Sequence, residues 1–113
     1  MSKTGFKPLE NLDIKQKEIA ATEYCDWRER MIIGEVHDKN AYYLGEISGH
    51  AGLFSDINDL SQFVRMLLNY GTLDEKNIFS ELTVKTMINN WTEDFEENRG
   101  LGWDLSNNFR SSG

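Results

Sequence analysis

The sequence predicts an α+β domain that is rich in helix, with two clear helices and one or two short strands. Two stretches repeat apolar residues at the spacing of one helical face, and a third alternates apolar with small or polar residues as a half-buried strand does. The chain has 113 residues, of which 39% are hydrophobic and 12% aromatic, so it can form the core of one compact domain.

The N-terminal third has no clear period. It predicts a loop with a short helical turn, followed by an extended segment at residues 30–36. Asp38 is a suitable N-cap for a short helix through residues 41–44, and Gly45 can end it. Residues 46–54 contain two glycines and lack a period, so they predict a loop.

The strongest helix signal begins at Ser55, whose hydroxyl can accept a hydrogen bond from the first turn. Asp56 and Asp59 follow at the positive end of the helix dipole, and Gly71 can terminate the helix. One helical face collects the apolar residues Ile57, Leu60, Phe63, Val64, Leu67 and Leu68.

A shorter helix is predicted from the N-cap Ser80 to Trp91. Residues 72–78 predict a polar connection between the two helices, and the acidic cluster at 93–97 predicts a solvated loop. Alternation in residues 101–105 predicts one half-buried strand.

Composition excludes several classes of partner. With 12 Lys and Arg against 19 Asp and Glu, the net charge of -7 repels nucleic acid. The longest apolar runs have three residues, which predicts no membrane span. Cys25 is predicted to be a partly buried structural thiol, and nothing in the sequence assigns a compartment.

No metal or cofactor is predicted. His37, Asp38 and His50 could be imagined as a metal site or a dyad, but the two histidines lack the H-x-H or H-E-x-x-H spacing of metal ligands. Five aromatic residues could line a ligand groove, although in a small domain a place in the core is favoured; they are Trp27, Tyr42, Tyr43, Trp91 and Trp103.

No catalytic residue is predicted in this chain. A serine acyl-transfer enzyme of the S-x-x-K type needs Ser and Lys one helical turn apart, and no serine here has Lys three residues later. The Y-x-N motif is also missing. Lys3-Thr4-Gly5 and His50-Ala51-Gly52 approach a Lys or His-Thr-Gly motif, but three-residue matches carry little weight.

The stretch GEVHDKNAYYLGEISGHAGLFS, residues 34–55, resembles a segment of β-lactamase-like serine hydrolases, the superfamily of class C β-lactamases, penicillin-binding proteins and esterases. Three further segments resemble that family's M-x-x-TGF, IAPTEY and GLGWD patterns, at residues 1–6, 19–24 and 100–104. The resemblance implies part of the serine β-lactamase-like fold: residues 1–113 would be one partial domain between the second and third catalytic motifs.

Two positions depart from the family pattern. Gly45-Glu46 stands where the family usually has a glycine pair, and a non-glycine residue in a left-handed conformation costs about 1 kcal/mol. Ala21 stands where the family tends to have proline. The replacement at Glu46 bears on the shape of the loop that follows.

The resemblance implies a non-catalytic segment that supplies scaffold and active-site wall to a hydrolase acting on a β-lactam, peptide or ester. Gly49, His50 and Ala51 would be substrate-binding residues at the rim of the cleft, with Gly49 and Gly52 allowing a tight turn. The alternative for His50 is that it only pins the loop. The chain alone is expected to hydrolyse no chromogenic β-lactam and to resist fluorophosphonate labelling.

The alternative function is a free-standing helical module that binds a protein partner without enzymatic activity. A segment of a larger fold leaves apolar faces uncovered, and we expect self-association through the Phe63, Met66 and Leu67 side of the main helix. The two functions differ in the surrounding open reading frame, since a segment requires S-x-x-K upstream and His or Lys-Thr-Gly downstream.

Overall fold

The computed structural model describes residues 2–105, which form a small α+β arrangement of four α-helices and short antiparallel strands. The strands are β1 Gly5–Phe6, β2 Tyr24–Cys25, β3 Arg30–Met31, β4 Leu53–Phe54, β5 Thr72–Leu73 and β6 Lys76–Asn77. The helices are α1 Pro8–Asn11, α2 Lys39–Tyr43, α3 Ile57–Leu68 and α4 Glu81–Ile88, and a 3₁₀ turn covers Gln16–Glu18.

The strands pair in three two-stranded ribbons, β1 with β4, β2 with β3 and β5 with β6. In the first ribbon Gly5 lies opposite Phe54 and Phe6 opposite Leu53, so the end of the GHAGLFS stretch is paired with the TGF segment. The sequence predicted one or two strands and a loop at 46–54. It missed this pairing because two-residue strands are too short to show a period.

The chain divides between Ser61 and Gln62 into two compact units. In the first unit the buried apolar side chains are Pro8, Cys25, Ile32, Val36 and Ala41. In the second they are Met66 and Val84. The free thiol of Cys25, which was predicted to be partly buried, is only 3% exposed. Among residues 2–105, no helix combines the length and the apolar character that a membrane crossing requires.

The three predicted helices are confirmed, with changes at their ends. Ser80 caps α4 by accepting the Thr83 N–H at 3.0 Å, but the helix ends at Ile88 and not at Trp91. The cap of α3 is Asp56 and not Ser55, since Asp56 Oδ1 accepts the Asp59 N–H at 2.8 Å. The start of this helix therefore lies one residue later than predicted.

Two connections differ from the predictions. Residues 101–105 do not form a strand, and a single bridge joins Arg99 to Asp104. Residues 72–77 form the hairpin β5–β6, where a polar connection was predicted. Its turn residues Asp74 and Glu75 have φ of 45° and 63°, the backbone of a type I′ turn. The Asp74-Glu75 dipeptide lacks the glycine by which a type I′ turn is usually predicted from sequence.

The exposed apolar face of α3 is not the predicted one. Met66 is buried, and the ring of Phe63 stacks on Trp103 with centroids 6.3 Å apart. The apolar residues of α3 that are exposed are Ile57, Leu60, Val64 and Leu68. The helical period was therefore read correctly, but the side of the helix that faces the core was assigned wrongly.

The aromatic residues were predicted to be core, which is wrong for Trp27, Tyr43 and Trp91, all of them exposed. Trp27 and Tyr42 instead hold the guanidinium of Arg28, whose carbon lies 4.6 Å and 4.5 Å from the two ring centroids. Arg28 also donates to the carbonyls of Val36 and His37 at 3.0 Å and 2.7 Å. These contacts fix the backbone that leads into α2.

Candidate functional site

The candidate site is the loop between α2 and α3, and it starts from the cap of α2. Asp38 Oδ1 accepts the Ala41 N–H at 2.8 Å, as predicted for an N-cap. This N–H bond, and after it the His50 side chain, lower the pKa of Asp38 from its usual value, against a smaller opposing effect of desolvation. Asp38 is therefore an ionised hydrogen-bond acceptor at neutral pH.

The turn after α2 orients the start of the loop. Gly45 and Glu46 both have positive φ, 86° and 69°, so the Glu46 backbone is left-handed. Glu46 N–H donates to Ala41 O at 2.8 Å, and Glu46 Oε2 accepts the Val36 N–H at 3.4 Å. The left-handed backbone strain that the sequence predicted at Glu46 is therefore present, and the two hydrogen bonds of Glu46 stabilise this turn.

Two side chains of the loop form one hydrogen-bonded row with the cap of α2. Ser48 Oγ lies 2.7 Å from His50 Nδ1, and His50 Nε2 lies 3.0 Å from Asp38 Oδ1. The imidazole therefore connects the loop to the first turn of α2. The sequence suggested Asp38 and His50 as a pair, but it did not predict Ser48, whose only signal is the S-x-H spacing.

The second half of the loop is fixed by its backbone. Gly52 has φ of 103°, and a β-carbon there would lie 2.7 Å from the Glu46 carbonyl oxygen, so this position requires glycine. Gly49 has no such requirement, because nothing lies within 4 Å of the place its β-carbon would take. The prediction that both glycines allow a tight turn holds for Gly52 alone.

A second row of hydrogen bonds holds the loop where it enters α3. Thr4 Oγ1 lies 2.8 Å from Ser55 Oγ and donates to Asp59 Oδ2 at 2.9 Å. The Lys3 N–H donates to the same oxygen at 2.8 Å. Asp59 is 4% exposed, and although burial acts to raise its pKa, these donors outweigh burial and lower the pKa from its usual value.

The predicted rim residues lie at the surface of this loop. Gly49 and His50 are exposed and Ala51 is half-buried. His37 does not join them, since its Nε2 pairs with Glu23 Oε1 at 2.8 Å. Within residues 2–105, no three His, Cys, Asp or Glu side chains are grouped as metal ligands would be.

Comparison with known proteins finds relatives in Escherichia coli and Salmonella. The chain is 34% identical over 120 aligned positions to a protein of Escherichia coli K12 named "Putative D-alanyl-D-alanine carboxypeptidase". Proteins of the same name in Escherichia coli O157:H7 and Salmonella enteritidis PT4 are 35% and 34% identical to this chain. No protein-family model matches the chain, and no solved structure does so either.

The alignments cover most of this chain but only a part of each relative. The alignment with the Escherichia coli K12 protein covers 96% of this chain and 27% of that relative, and the Salmonella alignment covers 93% and 26%. The chain therefore spans about a quarter of the length of these relatives, and this coverage fits a segment of a longer protein.

Proposed function

We propose that the chain is a non-catalytic segment of a β-lactamase-like serine hydrolase that removes D-alanine from D-alanyl-D-alanine peptides. Its loop of Gly49, His50 and Ala51 forms part of the wall of the substrate cleft. The name of the relatives supports the substrate class. The row of hydrogen bonds from Ser48 through His50 to Asp38 supports the wall, because it presents an exposed loop in one fixed conformation.

Catalysis is assigned to residues outside this chain, since no serine here has Lys at the i+3 position. We expect the purified chain to release no D-alanine from a D-alanyl-D-alanine peptide, to hydrolyse no chromogenic β-lactam and to bind no fluorophosphonate. Ser48 is the residue to monitor by mass spectrometry, because its hydroxyl contacts an imidazole. Stoichiometric labelling of Ser48 would contradict the proposal.

The wall is tested in a chimera, in which this chain replaces the matched segment of the Escherichia coli K12 relative. The chimera should retain fluorophosphonate labelling and D-alanine release. His50→Ala should raise KM for the peptide with little change in kcat, since a wall residue contributes to binding and not to the chemical step. His37→Ala is the matched control, because it removes a second surface imidazole outside the loop. Equal kinetics for both variants would refute the wall.

A second candidate function is a free-standing protein-interaction module. The exposed apolar residues of α3 favour it, because Ile57, Leu60, Val64 and Leu68 lie on one side of a regular helix. A module predicts that the chain self-associates in sedimentation and that Leu60→Lys makes it monomeric. A segment predicts that the same substitution impairs the chimera.

A further inference from the structure

The hydrogen bonds of His50 have a direction, which the ionised Asp38 determines. A carboxylate can only accept, so the proton in the 3.0 Å contact between Asp38 Oδ1 and His50 belongs to Nε2. In the neutral imidazole Nδ1 then carries no proton and accepts. Ser48 therefore donates its hydroxyl proton to Nδ1 across 2.7 Å.

With the hydrogen bonds in this direction, the side chains of Ser48 and His50 have no free proton to donate to a ligand, and Ser48 Oγ can only accept. The Nε2 proton is used by Asp38, and the hydroxyl proton of Ser48 is used by Nδ1. Ser48 Oγ retains lone pairs, and the Asp38 carboxylate nearby is 40% exposed and negative. Ser48 is half-buried and the neighbouring Gly49 is exposed, and nothing lies within 4 Å of the place a Gly49 β-carbon would take, so the surface beside this serine is open.

We infer that Ser48 Oγ is a specificity-determining acceptor for an N–H group of the substrate, and that Asp38 and His50 are positioning residues that orient it. The inference rests on the proposed function, in which this loop faces the cleft. It adds the chemistry that the wall selects: an amide N–H or an ammonium group binds, whereas a carboxylate is repelled. A peptide whose amide is N-methylated should lose this interaction.

The first test is the tautomer of His50 in the full chain, measured by ¹⁵N NMR of the imidazole. We expect a protonated Nε2 and an unprotonated Nδ1. Asp38→Ser keeps an N-cap for α2 but is too short to reach His50, so it should shift the imidazole toward a mixture of tautomers while α2 persists. The His37 signals are the internal control. A protonated Nδ1 in the neutral imidazole, or an unchanged tautomer in Asp38→Ser, would overturn the inference.

The second test separates this inference from the proposed function in the chimera. Ser48→Ala should raise KM for a D-alanyl-D-alanine peptide about tenfold, as for one lost hydrogen bond, and leave kcat unchanged. For the analogue N-methylated at its non-scissile amide, KM should be the same in Ser48→Ala as in the unsubstituted chimera. Ser48→Thr should restore binding of the ordinary peptide.

The outcomes are distinguishable. If His50→Ala raises KM but Ser48→Ala weakens both peptides equally, the wall stands and the acceptor assignment fails. If neither His50→Ala nor Ser48→Ala changes KM, the loop does not face the substrate and both proposals fail. Selective loss of the peptide that carries the N–H group supports both.

Discussion

The helices α2 and α3 end in the same hydrogen-bond motif but place their glycines differently. After α2, Gly45 N–H donates to Tyr42 O at 3.1 Å and Glu46 N–H to Ala41 O at 2.8 Å. After α3, Tyr70 N–H donates to Leu67 O at 3.0 Å and Gly71 N–H to Met66 O at 2.8 Å. Both pairs form a Schellman motif, in which the first residue is left-handed.

The difference lies in which of the two positions is glycine. At the end of α2 the first position is Gly45, as is usual, whereas at the end of α3 it is Tyr70 with φ of 50°. Gly71 follows Tyr70 because the chain returns close to it: the N–H groups of Ile78 and Phe79 donate to Gly71 O at 2.8 Å and 3.1 Å. A glycine after a helix can thus serve the turn or a close backbone approach.

Gly71→Ala should have the largest effect on stability. A β-carbon at this position would overlap the carbonyl of Phe79, and φ of 98° is strained for alanine. Since relief requires backbone movement, we expect a loss of about 3 kcal/mol or more in the free energy of unfolding. Urea unfolding measures it, and a loss below about 1 kcal/mol would show that the close approach is not required.

Gly45→Ala should cost less, because this glycine serves the turn alone. Nothing lies within 4 Å of the place its β-carbon would take, so the cost is the left-handed conformation of alanine, about 1 kcal/mol. Urea unfolding of both glycine variants tests the comparison directly. If Gly45→Ala cost as much as Gly71→Ala, the distinction between turn and close approach would be wrong.

Acid should have a smaller effect on the stability of the fold, through Asp59 near the start of α3. The folded state lowers the pKa of Asp59 from the ordinary value of 3.8, so its contribution is present above that value and is lost as pH falls through the folded pKa. Stability should therefore decline below about pH 4. Urea midpoints at pH 6 and pH 3 measure the decline, and Asp59→Asn should reduce it.

Sequence reasoning succeeded where the signal is local. The period of α3 and the caps Asp38 and Ser80 depend on neighbouring residues, so they could be predicted. The hairpin at Asp74 and Glu75 could not, because its turn uses left-handed residues without glycine. The Ser48–His50–Asp38 row was missed because it requires the loop to return to the first turn of α2.

Glu46→Gly should have the smallest effect, and it tests whether a second glycine after Gly45 stabilises this turn. The change removes about 1 kcal/mol of left-handed strain. It also removes the 3.4 Å contact between Glu46 Oε2 and the Val36 N–H and adds the chain entropy of glycine to the unfolded state. Because these contributions oppose one another, we expect a change within about 0.5 kcal/mol.

Such a small change for Glu46→Gly would contrast with the loss expected for Gly45→Ala, although both residues are left-handed. A gain near 1 kcal/mol in urea unfolding of Glu46→Gly would show that the Glu46 side chain contributes nothing. A loss near 1 kcal/mol would show that its carboxylate fixes the backbone at Val36 and thereby the start of the loop. In that case, the His50 tautomer measured by ¹⁵N NMR should change as well, since Asp38 is only two residues from Val36.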